Sequence, residues 1–156
     1  MKPVKIKDFF FAGFVLGIVS GLFFFGLVYL WNLFGVTTRT PWGDATAIFF
    51  NPPEVYMFWA ELLGFILALV GPVTIAILLC LLVKLTGKDY IYVKSIVISE
   101  ALAFFTFLIF YPAVGLKFQK HSITTNYSAF INLLIFGLVL GYLVKRFTDF
   151  NTSYKP

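Results

Sequence analysis

The chain has 156 residues, of which 60% are hydrophobic, 21% aromatic and 12% charged, against roughly 45–50% apolar and about 25% charged in an ordinary soluble domain. Twelve basic and seven acidic side chains cannot coat a soluble globule of this size. Intrinsic disorder needs the opposite composition, and a single cysteine, Cys80, excludes a disulfide scaffold.

A helix rises about 1.5 Å per residue, so roughly 20 apolar residues cross a hydrocarbon core of about 30 Å. Four segments meet that length or approach it, and the pattern predicts spans at 9–34, 55–83, 95–111 and 127–144 within one transmembrane domain, 1–156. The first follows Lys2, Lys5 and Lys7 as a signal peptide would, but its apolar run is about twice the usual length and lacks a small-x-small cleavage site, so it reads as a permanent helix. The outer loop after it carries Pro41, Gly43 and Asp44, which are turn chemistry. Asp44 is placed to cap a short interfacial helix over 45–50, which would lay Ile48, Phe49 and Phe50 on the membrane surface. Pro52 and Pro53 end that piece. Gly87 is suited to close the second helix, and the third span ends at Tyr111-Pro112. All four runs exceed strand length and lack strict alternation, which argues against a β-barrel.

Basic residues in short flanks set orientation. With the termini on one side, that side holds Lys2, Lys5, Lys7, Lys84, Lys88, Lys94, Lys145, Arg146 and Lys155, and the other holds Arg39, Lys117 and Lys120. Both termini are therefore expected in the cytoplasm. The net charge of +5 is accounted for by topology and anionic lipid; the bases form no stripe with interleaved aromatics, so nucleic acid is not an expected partner. The expected fold is an all-α integral membrane four-helix bundle.

Small residues four apart allow helix backbones to approach closely in lipid. Such rows occur at Gly13, Gly17 and Gly21, at Ala60, Gly64 and Ala68, and at Gly137 and Gly141. The first and last lie in the cytoplasmic half, so the first and fourth helices are expected to pack there; a homo-oligomer contact or another membrane partner competes for either row. Gly71-Pro72 should kink the second helix, as a static bend or as a hinge.

Glu61 and Glu100 are the acids inside spans, and an ionisable group in hydrocarbon is a functional candidate by default. Glu61 has Asn32 and Asn132 at similar depth. These three are expected to face the interior, either as polar glue between helices or as an outer-facing polar or proton site. Glu100 lies nearer the cytoplasmic side, where Lys84 or Lys145 is within reach. His121 lacks converging ligands for a metal, Cys80 reads as a packing residue, and Ser20, Ser99 and Ser128 lack nucleophile context. The sequence thus points to no catalytic residue, metal or cofactor, and to no enzyme. Asn126-Tyr127-Ser128 is a formal sequon at the membrane edge.

The four spans, the outer Pro41-Trp42-Gly43-Asp44, the later Tyr111-Pro112 and the glycine-bearing fourth helix resemble the YqhR-type conserved membrane proteins of spore-forming Gram-positive bacteria. That family carries no assigned reaction or ligand, so the resemblance implies a membrane layout and no catalytic residue. The expected role is accessory or structural, through helix–helix association. The alternative is a small transporter or channel subunit using the region of Glu61 and the Pro72 break.

Overall fold

A computed structural model describes residues 5–37, 40–50, 53–106 and 123–150. Among the described residues, six α-helices follow in chain order: α1 (Phe9–Leu33), α2 (Pro41–Phe49), α3 (Phe58–Ala68), α4 (Val70–Thr86), α5 (Ile91–Phe105) and α6 (Ile123–Phe147), with a 3-10 turn at Glu54–Tyr56. Three helical stretches of these residues are long and apolar enough to cross a membrane: Phe9–Leu33, the α3–α4 run Phe58–Thr86, and Tyr127–Phe147. The third predicted span corresponds to α5, which begins at Ile91 rather than residue 95. Its predicted outer end at Tyr111-Pro112, like His121, Lys117 and Lys120, falls outside the described residues.

Local chemistry explains the boundaries. The Asp8 carboxylate accepts from the Phe11 N–H at 2.6 Å and caps α1. The loop helix is capped by Thr40, whose Oγ1 accepts from Gly43 N–H at 3.2 Å, with Pro41 in its first turn. Asp44 therefore sits inside the first turn and is not the cap. The reason is Pro41: its fixed φ and missing N–H suit a first helical position, so the helix starts four residues earlier than expected. The predicted second span is broken at Leu69. The ring of Pro72 removes a donor and crowds the carbonyl four residues back, that of Ala68. Leu69 N–H then bifurcates between Phe65 and Ile66 carbonyls at 3.3 and 3.2 Å, and the ladder resumes with Val73 N–H on Leu69 O at 3.1 Å. Pro72 is buried and Gly71 is exposed.

The core follows one-turn spacing. Along α6 and just past it, every fourth residue is buried: Ser128, Asn132, Phe136, Leu140, Val144 and Thr148. The stripe is polar at both ends and apolar in the middle. It meets Ala12 and Leu16 of α1, Ile75, Leu79, Cys80 and Val83 of α4, and Ile91 of α5. Outside this core the surface is apolar too. Phe10, Phe11, Phe14, Val70, Val93, Val97, Phe104, Phe130 and Tyr142 are all exposed. Exposed apolar surface on that scale marks contact with another apolar phase.

The small-residue rows are used, but with different partners from those expected. A Cβ on Gly13 would stand 2.5 Å from Ile77 Cα, and one on Gly17 2.6 Å from Val73 Cα, so α1 lies against α4. A Cβ on Gly137 would stand 2.9 Å from Ile96 Cα, and Gly141 faces Tyr92 and Ser95, so α6 lies against α5. The first and last helices do meet, through larger groups: the Phe24 and Phe136 rings pack edge-on at 5.7 Å. Each glycine row thus accepts the backbone of a neighbour that carries branched side chains, and the rows do not face each other.

The two chain ends are tied together. Ile6 N–H donates to Phe147 O at 2.8 Å and Asp149 N–H to Ile6 O at 3.0 Å, and Lys5 and Asp149 pair at 3.9 Å. Lys88 donates to the Thr148 carbonyl, and Lys94 to Gly87 O at 3.0 Å. These ammonium groups satisfy carbonyls at helix C-termini, where a cation is favoured. Burial pushes Lys88 below the usual lysine range; Lys5 adds to that shift and Asp149 opposes it.

Candidate functional site

The polar residues picked out by the sequence occupy one end of the molecule but do not form a single cluster. Asn132 is buried on α6, and its Oδ1 accepts from the Trp31 indole N–H at 2.7 Å. Asn32 is the next residue on α1, so its side chain leaves the helix in another direction. It donates to Thr37 O at 3.1 Å and fastens the turn that follows α1. Glu61 lies in the first turn of α3 and is exposed. The expected convergence of Glu61, Asn32 and Asn132 is therefore replaced by one interhelical bond, one turn-closing bond and one outward carboxylate. A carboxylate near a helix N-terminus is favoured by the helix dipole.

Glu100 is deeper than the sequence suggested. Tyr92 against Gly141 and Ile96 against Gly137 define an antiparallel register for α5 and α6. One further turn sets Glu100 level with Leu133, beside Asn132. The reason is the early start of α5 at Ile91, level with Tyr142, which puts Glu100 nine residues into the helix instead of five. Neither suggested lysine reaches Glu100: Lys84 lies over the Phe9 ring at 4.5 Å and Lys145 over the Tyr92 ring at 5.3 Å. The Glu100 Oε1 is sealed from solvent and has no hydrogen-bond partner.

The third small-residue row receives the loop helix instead of another span. A Cβ on Gly64 would overlap Thr46 Oγ1 and stand 2.5 Å from Trp42 O. The buried Thr46 hydroxyl lies 2.7 Å from the carbonyl oxygen of Trp42 and 3.3 Å from that of Ala60. Trp42 joins Phe25 and Phe65 in a cluster of rings 5.1–6.0 Å apart. Ala68, the last of the row, is half-buried beside the break. Thus α2 runs antiparallel to α3, with Trp42 beside Phe65 and Thr46 beside Ala60. Ile48 and Phe49 are exposed, while Phe50, expected on the membrane surface with them, is half-buried.

Sequence reasoning missed Thr46, Trp31 and the ring cluster. The usable signal was that Asn132, buried in an apolar stripe, needs a donor, and an indole N–H on the neighbouring helix supplies one. Replacing Asn132 with leucine should cost about 0.5–2 kcal/mol, measured as a lower midpoint of thermal unfolding in detergent. Trp31→Phe should cost a similar amount, and the double substitution less than the sum of the two, because either change alone breaks the same bond.

Among the described residues no group of three or more His, Cys, Asp or Glu side chains is arranged to hold a metal ion. Comparison of the chain with protein-family models, curated proteins and solved structures gave no match.

Proposed function

We propose that this chain is a multi-pass membrane protein of accessory or structural type, acting through helix–helix association, with α1, the α3–α4 run, α5 and α6 as a four-helix membrane bundle and both termini cytoplasmic. The observation that carries this reading is the part-buried Trp31–Asn132 hydrogen bond between α1 and α6: the asparagine inside a span serves to join helices. Glycine rows seated on neighbouring backbones support the same reading, since packing and interhelical hydrogen bonds drive association in lipid. Depth accounts for Glu61. Counting about 20 residues, or 30 Å, back from Lys84 reaches Gly64, which leaves Glu61 in the outer headgroup layer with the exposed Tyr56 and Trp59. The membrane layout shared with YqhR-type proteins fits this role, and it includes no enzymatic step. The partners this implies are the bilayer and either a second copy or another membrane protein.

Two measurements test the reading. In a Cys80→Ala background, a membrane-impermeant maleimide applied to intact cells should label Phe49→Cys and leave Asp89→Cys unlabelled. The reverse pattern overturns the orientation. Purified in mild detergent, the chain should run as a stoichiometric assembly with itself or with one membrane protein; a bare monomer counts against association.

The alternative of a small transporter or channel subunit draws on the break at Leu69, beside Gly71 and Pro72, as a moving part. It requires Glu61→Gln to abolish a flux in vesicles.

A further inference from the structure

We propose that Glu100 is a proton-binding carboxyl embedded in the bilayer. The inference goes beyond the association role and rests only on the chain spanning a membrane. Its first support is a missing partner. Among the described residues, the buried side-chain atoms without a hydrogen bond are Ser95 Oγ and Glu100 Oε1, both on α5. An ionised carboxylate is acceptor-only and calls for donors at both oxygens. In hydrocarbon no water supplies them.

The second support is depth. The register of α5 on α6 sets Glu100 level with Leu133, thirteen residues before Arg146. At about 1.5 Å per residue that is roughly 20 Å from the basic end of α6, well inside a core of about 30 Å.

The third support is that the surrounding charges are committed elsewhere. The titratable groups on the packed elements are Cys80 and Lys84 of α4, and Tyr127, Tyr142, Lys145 and Arg146 of α6; α5 itself adds Tyr92 and Lys94. Lys84 and Lys145 sit on aromatic rings. Lys94 is bound to Thr86 Oγ1 at 2.9 Å and to Gly87 O. Arg146 lies in the last turn of α6, beside Lys145. A bound proton removes the charge that this setting cannot neutralise. The residue is partly exposed, on a helix that also exposes Val97 and Phe104, so a lipid-soluble reagent can reach it.

Dicyclohexylcarbodiimide, which partitions into lipid and attacks protonated carboxyls, provides the test in native membranes, read by mass spectrometry of peptides. The expected result at pH 7 is an adduct on Glu100 at least about tenfold above that on Glu54 or Glu61, because both of those carboxyls are exposed outside the hydrocarbon core in which the reagent concentrates. The adduct should be lost in Glu100→Gln and kept in Glu61→Gln. Absence of the adduct from the wild-type chain overturns the proposal, as does equal labelling of Glu100 by a water-soluble carbodiimide. Alkaline extraction of the same membranes separates this failure from that of the membrane reading: a proposal that fails alone leaves the chain in the pellet.

Discussion

Gly17→Leu should push α1 off α4 and lower the stability of the bundle sharply. Carbon atoms rest at about 3.5–4.0 Å, yet even the first added atom would stand 2.6 Å from Val73 Cα, with Ala76 Cβ at 3.1 Å and Pro72 O at 3.2 Å. All three are backbone atoms or attached directly to backbone, so no side-chain rotation relieves the clash. Overpacking costs about 1–3 kcal/mol where a core can adjust, and this seam adjusts only by moving helices apart. That separation forfeits contacts along the whole row, because Gly13 approaches the α4 backbone as closely as Gly17 does and a Cβ on Gly21 would stand 2.9 Å from Pro72 Cβ. The expected outcome is a cost at or above about 3 kcal/mol, read as a large fall in the midpoint of thermal unfolding in detergent. Gly26→Leu is the control. A Cβ there meets nothing within 4 Å, so its midpoint should be unchanged. Equal midpoints for the two variants would mean that α1 and α4 are not joined along this row.

The same row shows what was legible in advance. Glycines at four-residue spacing announced a close helix contact, because few other uses require three small residues on one face. They carried no information about the partner, since a groove of glycines accepts any backbone. The partner is set by helices elsewhere: Ile77 and Val73 of α4 fill the groove of α1, and Ile96 of α5 fills that of α6. The bend near Pro72 was legible for a chemical reason that is local to the ring. The seat of α2 on α3 was not legible, because it depended on a loop whose helical start was set by Pro41 and not by Asp44. The polar residues followed the same pattern. Their presence in spans was plain, but facing depends on single-residue offsets, and one position separates Asn32, bonded to its own turn, from Trp31, bonded across to α6. Glu100 was misplaced in depth because the start of α5 was unknown, and a shift of four residues along a helix is about 6 Å.

Gly64→Leu should detach α2 while leaving the α1–α4 seam in place. The first added atom already clashes with Thr46 Oγ1, and Trp42 O stands 2.5 Å away, so the loop helix cannot remain where it is. Losing that seat breaks the contact of Thr46 with Ala60 O and pulls Trp42 from between Phe25 and Phe65, whose rings lie 5.6 and 6.0 Å from it. Aromatic pairs contribute about 0.5–1.5 kcal/mol beyond area burial, so two lost pairs and one hydrogen bond amount to roughly 2–4 kcal/mol. Local release moderates this, because α2 is joined to the rest by short segments on both sides and can leave as a unit. The readout should therefore be local first. In a Trp31→Phe, Trp59→Phe background, Trp42 fluorescence should shift to the red and become open to acrylamide in Gly64→Leu, with a smaller loss of global stability than in Gly17→Leu. Phe65→Ala should open Trp42 to the quencher without any clash, because it removes one side of the ring cluster. If Trp42 stays equally protected in both variants, the Gly64 seat does not hold α2, and the outer end of the bundle is organised by the Trp31–Asn132 bond alone.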